Sequence, residues 1–409
     1  MRLFAWMAAV VVLGAVGCSD STGPGGAGAA PLTFIALSSG NGRTCALAAD
    51  STAWCWGLNA GIPGTTVGDT RPIATFPGTR FDVIAVGSTP IGPAAVCALE
   101  MGGSSMCTGH LDVDEDLVIT LPAGEPRPGG VSLSSVSIGV GHICGVSAGN
   151  SANCWGEFDG GPRGLGSISF DTSYATMTPN VVDGGHAWTQ IVAGYTHTCG
   201  LDEAGAAWCW GEGEFGQLGQ AAGAPDSVCG LAGSPCSKVP IAVDGGHTFT
   251  SLSAGGNHTC GVTSVGDVYC WGSDDAGQLG VSGAGAADLC LGAYHIRCAL
   301  APVKVYAGLS VVFTQVSAGG SHTCALSDSL QAYCWGDDSY GQLGIGGGQM
   351  STPWPVKTDL RFVALSAGAS HTCGIAVGGA AWCWGDNASG ELGNATTFDV
   401  NVPVPVAGP

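Results

Sequence analysis

The sequence predicts an all-β chain that closes into a seven-bladed β-propeller of four-stranded blades, with one disulfide stapling each blade. Three observations carry that prediction. Seven cysteine pairs share a spacing of ten residues: Cys45 with Cys55, Cys97 with Cys107, Cys144 with Cys154, Cys199 with Cys209, Cys260 with Cys270, Cys324 with Cys334 and Cys373 with Cys383. Their first members lie 52, 47, 55, 61, 64 and 49 residues apart, and a period near fifty with one supersecondary unit per period marks a repeat architecture. Each unit also reads as four short runs of period-two alternation punctuated by Gly, Asp and Ser, without helical patterning. Four such strands per unit, repeated seven times, make a propeller.

The spacing itself selects a hairpin. A zinc site places its thiolates two to four residues apart and then repeats the pair; ten residues instead suit two strands facing each other across a short polar turn. If Cys324 opposes Cys334, Ala325 opposes Tyr333 on the other face of the sheet. Across the units, the small residues Ala46, Ala98, Gly145, Gly200, Gly261, Ala325 and Gly374 then meet Trp54, Met106, Asn153, Trp208, Tyr269, Tyr333 and Trp382. This complementarity supports the pairing and suggests that an aromatic fills the gap between adjacent blades. In the chain-entropy model, a loop of about ten residues makes each disulfide worth somewhat under 3 kcal/mol.

A fourth run, such as "VPIAV" (239–243) or "APVKV" (301–305), precedes each hairpin. The first unit begins at about Pro31 without one, whereas the chain ends on "VNVPVPVAG" (400–408) with no unit after it. Because an open ring leaves raw sheet edges, the C-terminal strand is expected to complete the blade formed by residues 32–57 and close the ring.

The remaining cysteines are informative. Cys229 with Cys236 and Cys290 with Cys298 form two further local pairs, and only Cys18 is left. So many local cysteine couples indicate an oxidising compartment. Arg2 is followed by an apolar run, Leu3 to Val16, and then "AVGC" at 15–18. That run is shorter than the roughly 20 residues a spanning helix needs and reads as an export signal. Small residues before a cysteine resemble a bacterial lipobox, which implies lipidation of Cys18. Residues 1–18 are therefore expected to be a lipoprotein signal peptide, 19–31 a flexible tether, and 32–409 the propeller. The expected location is the bacterial cell envelope, lipid-anchored at the outer membrane or cell surface, with plain secretion as the alternative.

Composition excludes some partners. The formal net charge is -20, and lysine occurs only at Lys238, Lys304 and Lys357. With no basic run, a nucleic-acid backbone is not a partner. An outer-membrane barrel would need apolar-faced spans of about ten residues, and the runs here are shorter.

The units "FTSLSAGGNHTCGVTSVGDVYCWGSDDAGQLG" (249–280), "FTQVSAGGSHTCALSDSLQAYCWGDDSYGQLG" (313–344) and "FVALSAGASHTCGIAVGGAAWCWGDNASGELG" (362–393) nearly superimpose. Their pattern, AGxxHTxAL…YxWGxNxxGQLG, resembles the repeats of the regulator of chromosome condensation family of seven-bladed propellers, here of a bacterial lipoprotein type. The resemblance covers about residues 32–406. Unit one puts Arg43 where others have His, unit two has "CTG" (107–109) in place of Cys-Trp-Gly, and unit three lacks Gly-Gln-Leu-Gly. The fold carries several functions, so the resemblance does not select one.

His142, His197, His258, His322 and His371 occupy one equivalent position. A ring built by repetition spreads them too far apart for one ion, so each is expected to hydrogen-bond within its own blade. "DVDED" (112–116) lacks the Gly and Glu of a calcium loop and reads as a solvated acidic insertion. No nucleophile elbow, phosphate loop or zinc-protease helix is present. Catalysis is left open with no residue to name, and neither a cofactor nor a metal is expected. The departures from the repeat are better recognition candidates: "CGLAGSPC" (229–236) and "CLGAYHIRC" (290–298), the second offering Tyr294, His295, Ile296 and Arg297. Tyr and Arg are favoured at interface hot spots. The expected function is a monomeric scaffold that binds an envelope or extracellular protein through its loop face and touches the membrane only through its anchor. The alternatives are an envelope enzyme or glycan-binding protein with a site at the channel mouth, and a purely structural surface protein.

Overall fold

The computed structural model describes residues 32–58, 68–87, 94–114, 117–121, 131–156, 179–221, 227–229, 234–281, 288–290, 296–306 and 310–409. Seven antiparallel sheets form seven blades. Blade 1 holds β1 (Phe34–Ser39), β2 (Arg43–Ala48), β3 (Ala53–Gly57) and β4 (Asp69–Thr75). Blade 2 holds β5 (Phe81–Val86), β6 (Val96–Glu100), β7 (Ser105–Asp114) and β8 (Leu117–Leu121). Blade 3 holds β9 (Leu133–Ile138), β10 (His142–Ser147), β11 (Ala152–Gly156) and β12 (Asn180–Val181). Blade 4 runs through β13 (Trp188–Ala193), β14 (His197–Asp202), β15 (Ala207–Glu212), β16 (Ser227–Cys229) and β17 (Ser234–Ala242). Blade 5 follows with β18 (Phe249–Ala254), β19 (His258–Thr263), β20 (Val268–Ser273), β21 (Asp288–Cys290) and β22 (Ile296–Lys304). Blade 6 holds β23 (Phe313–Ala318), β24 (His322–Ser327), β25 (Ala332–Gly336) and β26 (Met350–Pro355). Blade 7 holds β27 (Phe362–Ala367), β28 (His371–Ala376), β29 (Ala381–Gly385) and β30 (Val400–Pro405). Blades 4 and 5 thus exceed the expected four strands: β16 and β21 add a short fifth strand outside β17 and β22.

The expected hairpin register holds in every blade. Each cysteine of a ten-residue pair faces its partner, and the small residue after it faces the large one: Ala325 opposes Tyr333, Ala46 opposes Trp54, and Gly374 opposes Trp382. All seven staples are formed. Cys45 is bonded to Cys55, Cys97 to Cys107, Cys144 to Cys154 and Cys199 to Cys209 in blades 1 to 4. Cys260 is bonded to Cys270, Cys324 to Cys334 and Cys373 to Cys383 in blades 5 to 7. Every one of these sulfurs is buried.

Ring closure differs from expectation. The C-terminal strand β30 pairs with β29 inside blade 7, and blade 1 has its own outer strand, β4, in "DTRPIAT". The Pro-containing run belongs to the hairpin that precedes it in sequence, because a short connection delivers it directly to the open edge of the third strand. Blade 7 meets blade 1 as any other neighbours meet, for example through Phe34 N–H donating to Gly379 O at 2.8 Å and Ala369 N–H to Gly40 O at 3.1 Å. The irregularity of unit two lies in its outer strand, where β8 pairs only with the far half of β7, from Gly109 to Asp114. Residues 115–116 of the acidic insertion lie outside the described residues.

The core is divided among the seven seams. One face of each hairpin carries the disulfide, and the opposite face of the next blade packs onto it. At the seam of blades 5 and 6, Cys260, Cys270, Val262, Val268 and Leu279 cluster with Phe313, Val316, Ala325 and Trp335. The aromatic expected between blades, Tyr333 here, is only partly buried at the edge of this cluster. The seam is filled instead by the next aromatic on the same face, the Trp of Cys-Trp-Gly. Trp56, Trp155, Trp210, Trp271, Trp335 and Trp384 are among the largest fully buried side chains.

Candidate functional site

Every repeat motif that could suggest chemistry turns out to join blades. His258 Nε2 lies 2.9 Å from Thr323 Oγ1 of the next blade, and the same bridge links His142 to Thr198, His197 to Thr259, His322 to Thr372 and His371 to Thr44 at 2.7–2.9 Å. The expectation of bonds within one blade is therefore corrected. Each histidine sits at the head of its strand, and its Nε2 reaches across the seam to the neighbour's threonine. The Thr323 hydroxyl donates to Gln278 O at 2.8 Å, and Thr372 to Gln342 O at 2.9 Å. A hydroxyl has one proton, so these threonines accept from a neutral imidazole protonated at Nε2. Burial holds the ring uncharged: the pKa falls to about 3 at His197 and His322 and to about 4 at His258 and His371. The Nε2–H of each of these imidazoles is committed to joining one blade to the next.

Two seams lack this bridge, and the histidine position changes with them. Blade 2 has Val96, and blade 3 Ile143, where the other blades have Thr; the residues that would face them are Arg43 and Ala95. Histidine disappears wherever its acceptor is missing, since a buried unpaired imidazole N–H is costly. Arg43 is fully buried; burial lowers its pKa to about 10, opposed by the charge of Asp69.

Gly-Gln-Leu-Gly is equally architectural. Gln278 Oε1 accepts the Ala276 N–H at 2.9 Å, closing the turn, while its carbonyl also accepts Trp335 Nε1 at 2.9 Å. Leu279 is fully buried. Gly280 has φ +71, and a Cβ there would strike the Trp335 indole. In blade 7, Glu391 replaces the glutamine and is 3 % exposed; burial raises its pKa to about 7.

The channel on the axis is a cavity of about 230 Å³ lined by the first strands of all seven blades. Its serines are already engaged: Ser38, Ser137, Ser253, Ser317 and Ser366 each accept a backbone N–H of the following blade at 2.9–3.0 Å. Tyr195 lies across the mouth formed by the loops between first and second strands, where a Cβ on Gly320 would come within 3.0 Å of its hydroxyl. Burial raises the Tyr195 pKa. Among the residues lining the channel, no acid, base or thiol accompanies this tyrosine. Among the described residues, no group of three His, Cys, Asp or Glu is placed to hold a metal ion.

The candidate recognition loops extend from the third-to-outer strand connections of consecutive blades, on the same face of the ring as Tyr195. The disulfide between Cys290 and Cys298 is formed and joins β21 to β22. Cys236 is disulfide-bonded, and the Cys229 side chain lies outside the described residues, as do Tyr294 and His295. Ile296 is half-buried. Arg297, half-exposed, pairs with the buried Asp274 at 3.0 Å; Asp274 Oδ1 also accepts Leu279 N–H at 3.0 Å. Arg297 thus anchors the extension to the blade, a role that sequence spacing did not indicate. Cys18 lies outside the described residues.

Comparisons place this architecture. The Regulator of chromosome condensation (RCC1) repeat matches residues 188–217, 249–278, 313–342 and 362–391 in one form, and 204–262, 265–326 and 331–375 in another. The Ultraviolet-B receptor UVR8 of Arabidopsis thaliana is 29% identical over 163 residues, which cover 40% of this chain and 32% of the receptor. The human E3 ubiquitin-protein ligase HERC2 is 30% identical over 196 residues, 46% of this chain but 4% of the ligase. The chain therefore spans a third or less of these relatives. Among solved structures, Prp20p of Saccharomyces cerevisiae superimposes with a TM-score of 0.69 at 21% identity, covering 82% of this chain and 80% of that one. Human WBSCR16 superimposes with a TM-score of 0.66 at 17% identity, covering 85% and 88%. At that identity the likeness is one of fold. The chain carries RCC1 repeats, and it folds as the seven-bladed propeller in which such repeats are arranged.

Proposed function

We propose that this chain is an exported, lipid-anchored scaffold that binds another protein of the cell envelope or its surroundings through the face bearing the β16–β17 and β21–β22 extensions. The observation that carries this reading is the pair of extensions, β16–β17 and β21–β22, that add a fifth strand to consecutive blades, the second closed by Cys290–Cys298, on a frame whose repeated polar groups are committed to its seams. Proteins of similar fold support it: Prp20p is described with its binding to Gsp1p and histones, and with Kap60 bound. An acidic surface suits a basic partner. The location rests on the apolar segment before Cys18 and on the disulfide-rich interior, because disulfides persist in oxidising compartments.

Two measurements test the reading. Mass spectrometry of the non-reduced protein from its own membranes should find an acylated Cys18 and nine local disulfides; free thiols would overturn export. Crosslinking in the native host should then capture a protein with the parent chain, but not with a variant whose residues 291–297 are replaced by a short Gly-Ser link. Equal capture by both would remove these loops from recognition. The channel-mouth alternative gains no support from an axis whose serine hydroxyls already serve the frame.

A further inference from the structure

The turn that follows Cys-Trp-Gly offers one position in four versions across blades 4 to 7: Gly213, Asp274, Asp338 and Asn387. Where a side chain is present, its Oδ1 accepts the N–H of a buried leucine five residues on, at 3.0 Å each time: Leu279, Leu343 and Leu392. The blades differ in what answers the rest of the group. In blade 5 the β21–β22 extension delivers Arg297, whose Nη2 lies 3.0 Å from Asp274 Oδ2. In blade 7 the group is a neutral amide, and Asn387 Nδ2 donates to the carbonyls of Thr396 and Phe398 at 3.0–3.1 Å. Blade 6 has neither arrangement. Asp338 keeps the acid, its connection (337–349) contains no arginine or lysine, and among the described residues no cation pairs with it. Burial raises its pKa, opposed by the backbone N–H groups of Leu343 and Gly348.

Asp338 is half-buried and lines a cavity of about 370 Å³ between blades 6 and 7. Asp399 of the blade 7 connection lines it too, its Oδ1 held by Asn387 N–H at 2.9 Å. Tyr340, Gly341, Gly347 and Asn401 contribute to the walls, and no lysine or arginine does. Asp337 lies near enough to Asp338 to repel it, and Asp386 does the same to Asp399. The cavity is thus bordered by acids, with aromatic rings at its edge: Tyr340 is 47% exposed and Phe398 77%.

We propose that this cavity receives an arginine side chain of the partner protein, which does for Asp338 what Arg297 does for Asp274. The inference deepens the protein-binding reading above and rests on it. Blade 5 shows that a carboxylate at this repeat position takes a guanidinium; blade 6 presents the carboxylate without the extension that would supply one. Arginine suits the cavity because its planar, weakly hydrated head pairs with carboxylates in a fork and stacks on aromatic rings such as Tyr340. The place suits the reading as well. The cavity is built from the same third-to-outer connections that carry the extensions in blades 4 and 5, and Gln349 Nε2 donates to Ala276 O at 2.7 Å, joining the blade 6 connection to the blade 5 turn. A partner seated on the β21–β22 extension therefore meets this cavity on the next blade.

The test titrates the purified full-length protein with the peptide acetyl-Gly-Gly-Arg-Gly-Gly-amide, read by saturation-transfer NMR, beside the same peptide carrying citrulline, the neutral isostere of arginine. Asp338→Asn with Asp399→Asn removes both charges but keeps both Oδ1 acceptors, as Asn387 does in blade 7, and unchanged melting verifies the fold. Asp82→Asn with Asp328→Asn, at exposed positions elsewhere, changes the net charge equally and serves as the control. The arginine peptide should bind parent and control alike and the site variant about tenfold more weakly, with citrulline equally weak on the parent. Equal binding by parent and site variant, equal binding of the two peptides, or an equal loss in the control overturns the inference. Stoichiometric displacement of the arginine peptide by calcium would make this a metal site and overturns it too. Crosslinking in the native host keeps the two readings apart. Capture that is lost on replacing residues 291–297 but persists in Asp338→Asn, Asp399→Asn strikes the cavity and leaves the scaffold standing. No capture by the parent strikes the scaffold, and with it the partner named here.

Discussion

Replacing Thr323 with valine isolates one seam of the ring. The substitution preserves shape but deletes the hydroxyl that accepts His258 Nε2–H at 2.9 Å and donates to Gln278 O at 2.8 Å. All of these groups are buried. The carbonyl keeps its bond from Trp335 Nε1 at 2.9 Å, so its loss is small. The imidazole N–H keeps no partner, and an orphaned buried donor costs about 1–3 kcal/mol. We expect about 2 kcal/mol in total. Unfolding entropy near 2.1 cal/mol/K per residue over Leu32–Pro409 is roughly 0.8 kcal/mol/K, so the melting temperature should fall by about 2–3 °C. Calorimetry under non-reducing conditions reads this directly. Thr323→Ser should recover the bridge and lose only the packing of one methyl group. Thr250→Val is the control, since its hydroxyl bonds Val262 O at the exposed entry of its own blade. A Thr323→Val chain that melts with the control would refute the idea that histidine–threonine bridges hold the seams.

The four histidines with folded pKa values of about 3 or 4 give a signed pH dependence. Unfolded histidine binds its proton near 6.5, so their contribution is complete above that pH and drains as pH falls toward 3–4. At pH 5.5 each removes about 1 kcal/mol relative to pH 7, partly offset by Glu391, which titrates in the opposite sense; a melting temperature that rises on acidification to 5.5 would contradict this. Gly319→Ala should destabilise by about 1–3 kcal/mol or more, because its Cβ would collide with Gly368 O and the His322 ring; urea titration that finds the variant equal to the parent would refute this. Removing one hairpin staple, Cys324→Ser with Cys334→Ser, should cost somewhat under 3 kcal/mol in a denaturant titration, and a larger loss would mean that the sulfurs matter more as packing. Arg297→Ala leaves the buried Asp274 carboxylate without its cation, so a lower melting temperature and faster proteolysis within residues 288–298 are expected; equal melting and equal proteolysis would show that the ion pair does not fasten the extension.

Much of the frame was legible because repetition supplies seven independent readings of one hairpin. Two cysteines ten positions apart in every unit, small residues opposite large ones, and alternation on both sides leave only one register in which all seven units agree, and the structure has that register. The candidate recognition loops were legible for the opposite reason: they interrupt the period. Strand ownership was not legible. Whether "VPIAV" precedes one hairpin or follows another is the same string of letters, and the wrong frame moved β30 from blade 7 to blade 1. Nor could spacing show that the buried seam aromatic is the tryptophan after the second cysteine, since both aromatics lie on one face of the strand.

By itself, the sequence determined the fold class, the number of blades, the disulfide pairing of the hairpins and the poverty of basic residues, because each follows from local pattern or composition. Only the tertiary structure decided what the repeated polar residues do. His258 and Thr323 lie 65 residues apart, Gln278 and Trp335 lie 57 apart, and each sits in its own copy of the same motif. A repeat read unit by unit cannot distinguish a bond within one blade from a bond to the next. The ring resolves it, because closing the blades around an axis brings five of the strand heads within hydrogen-bond distance of a threonine of the next blade.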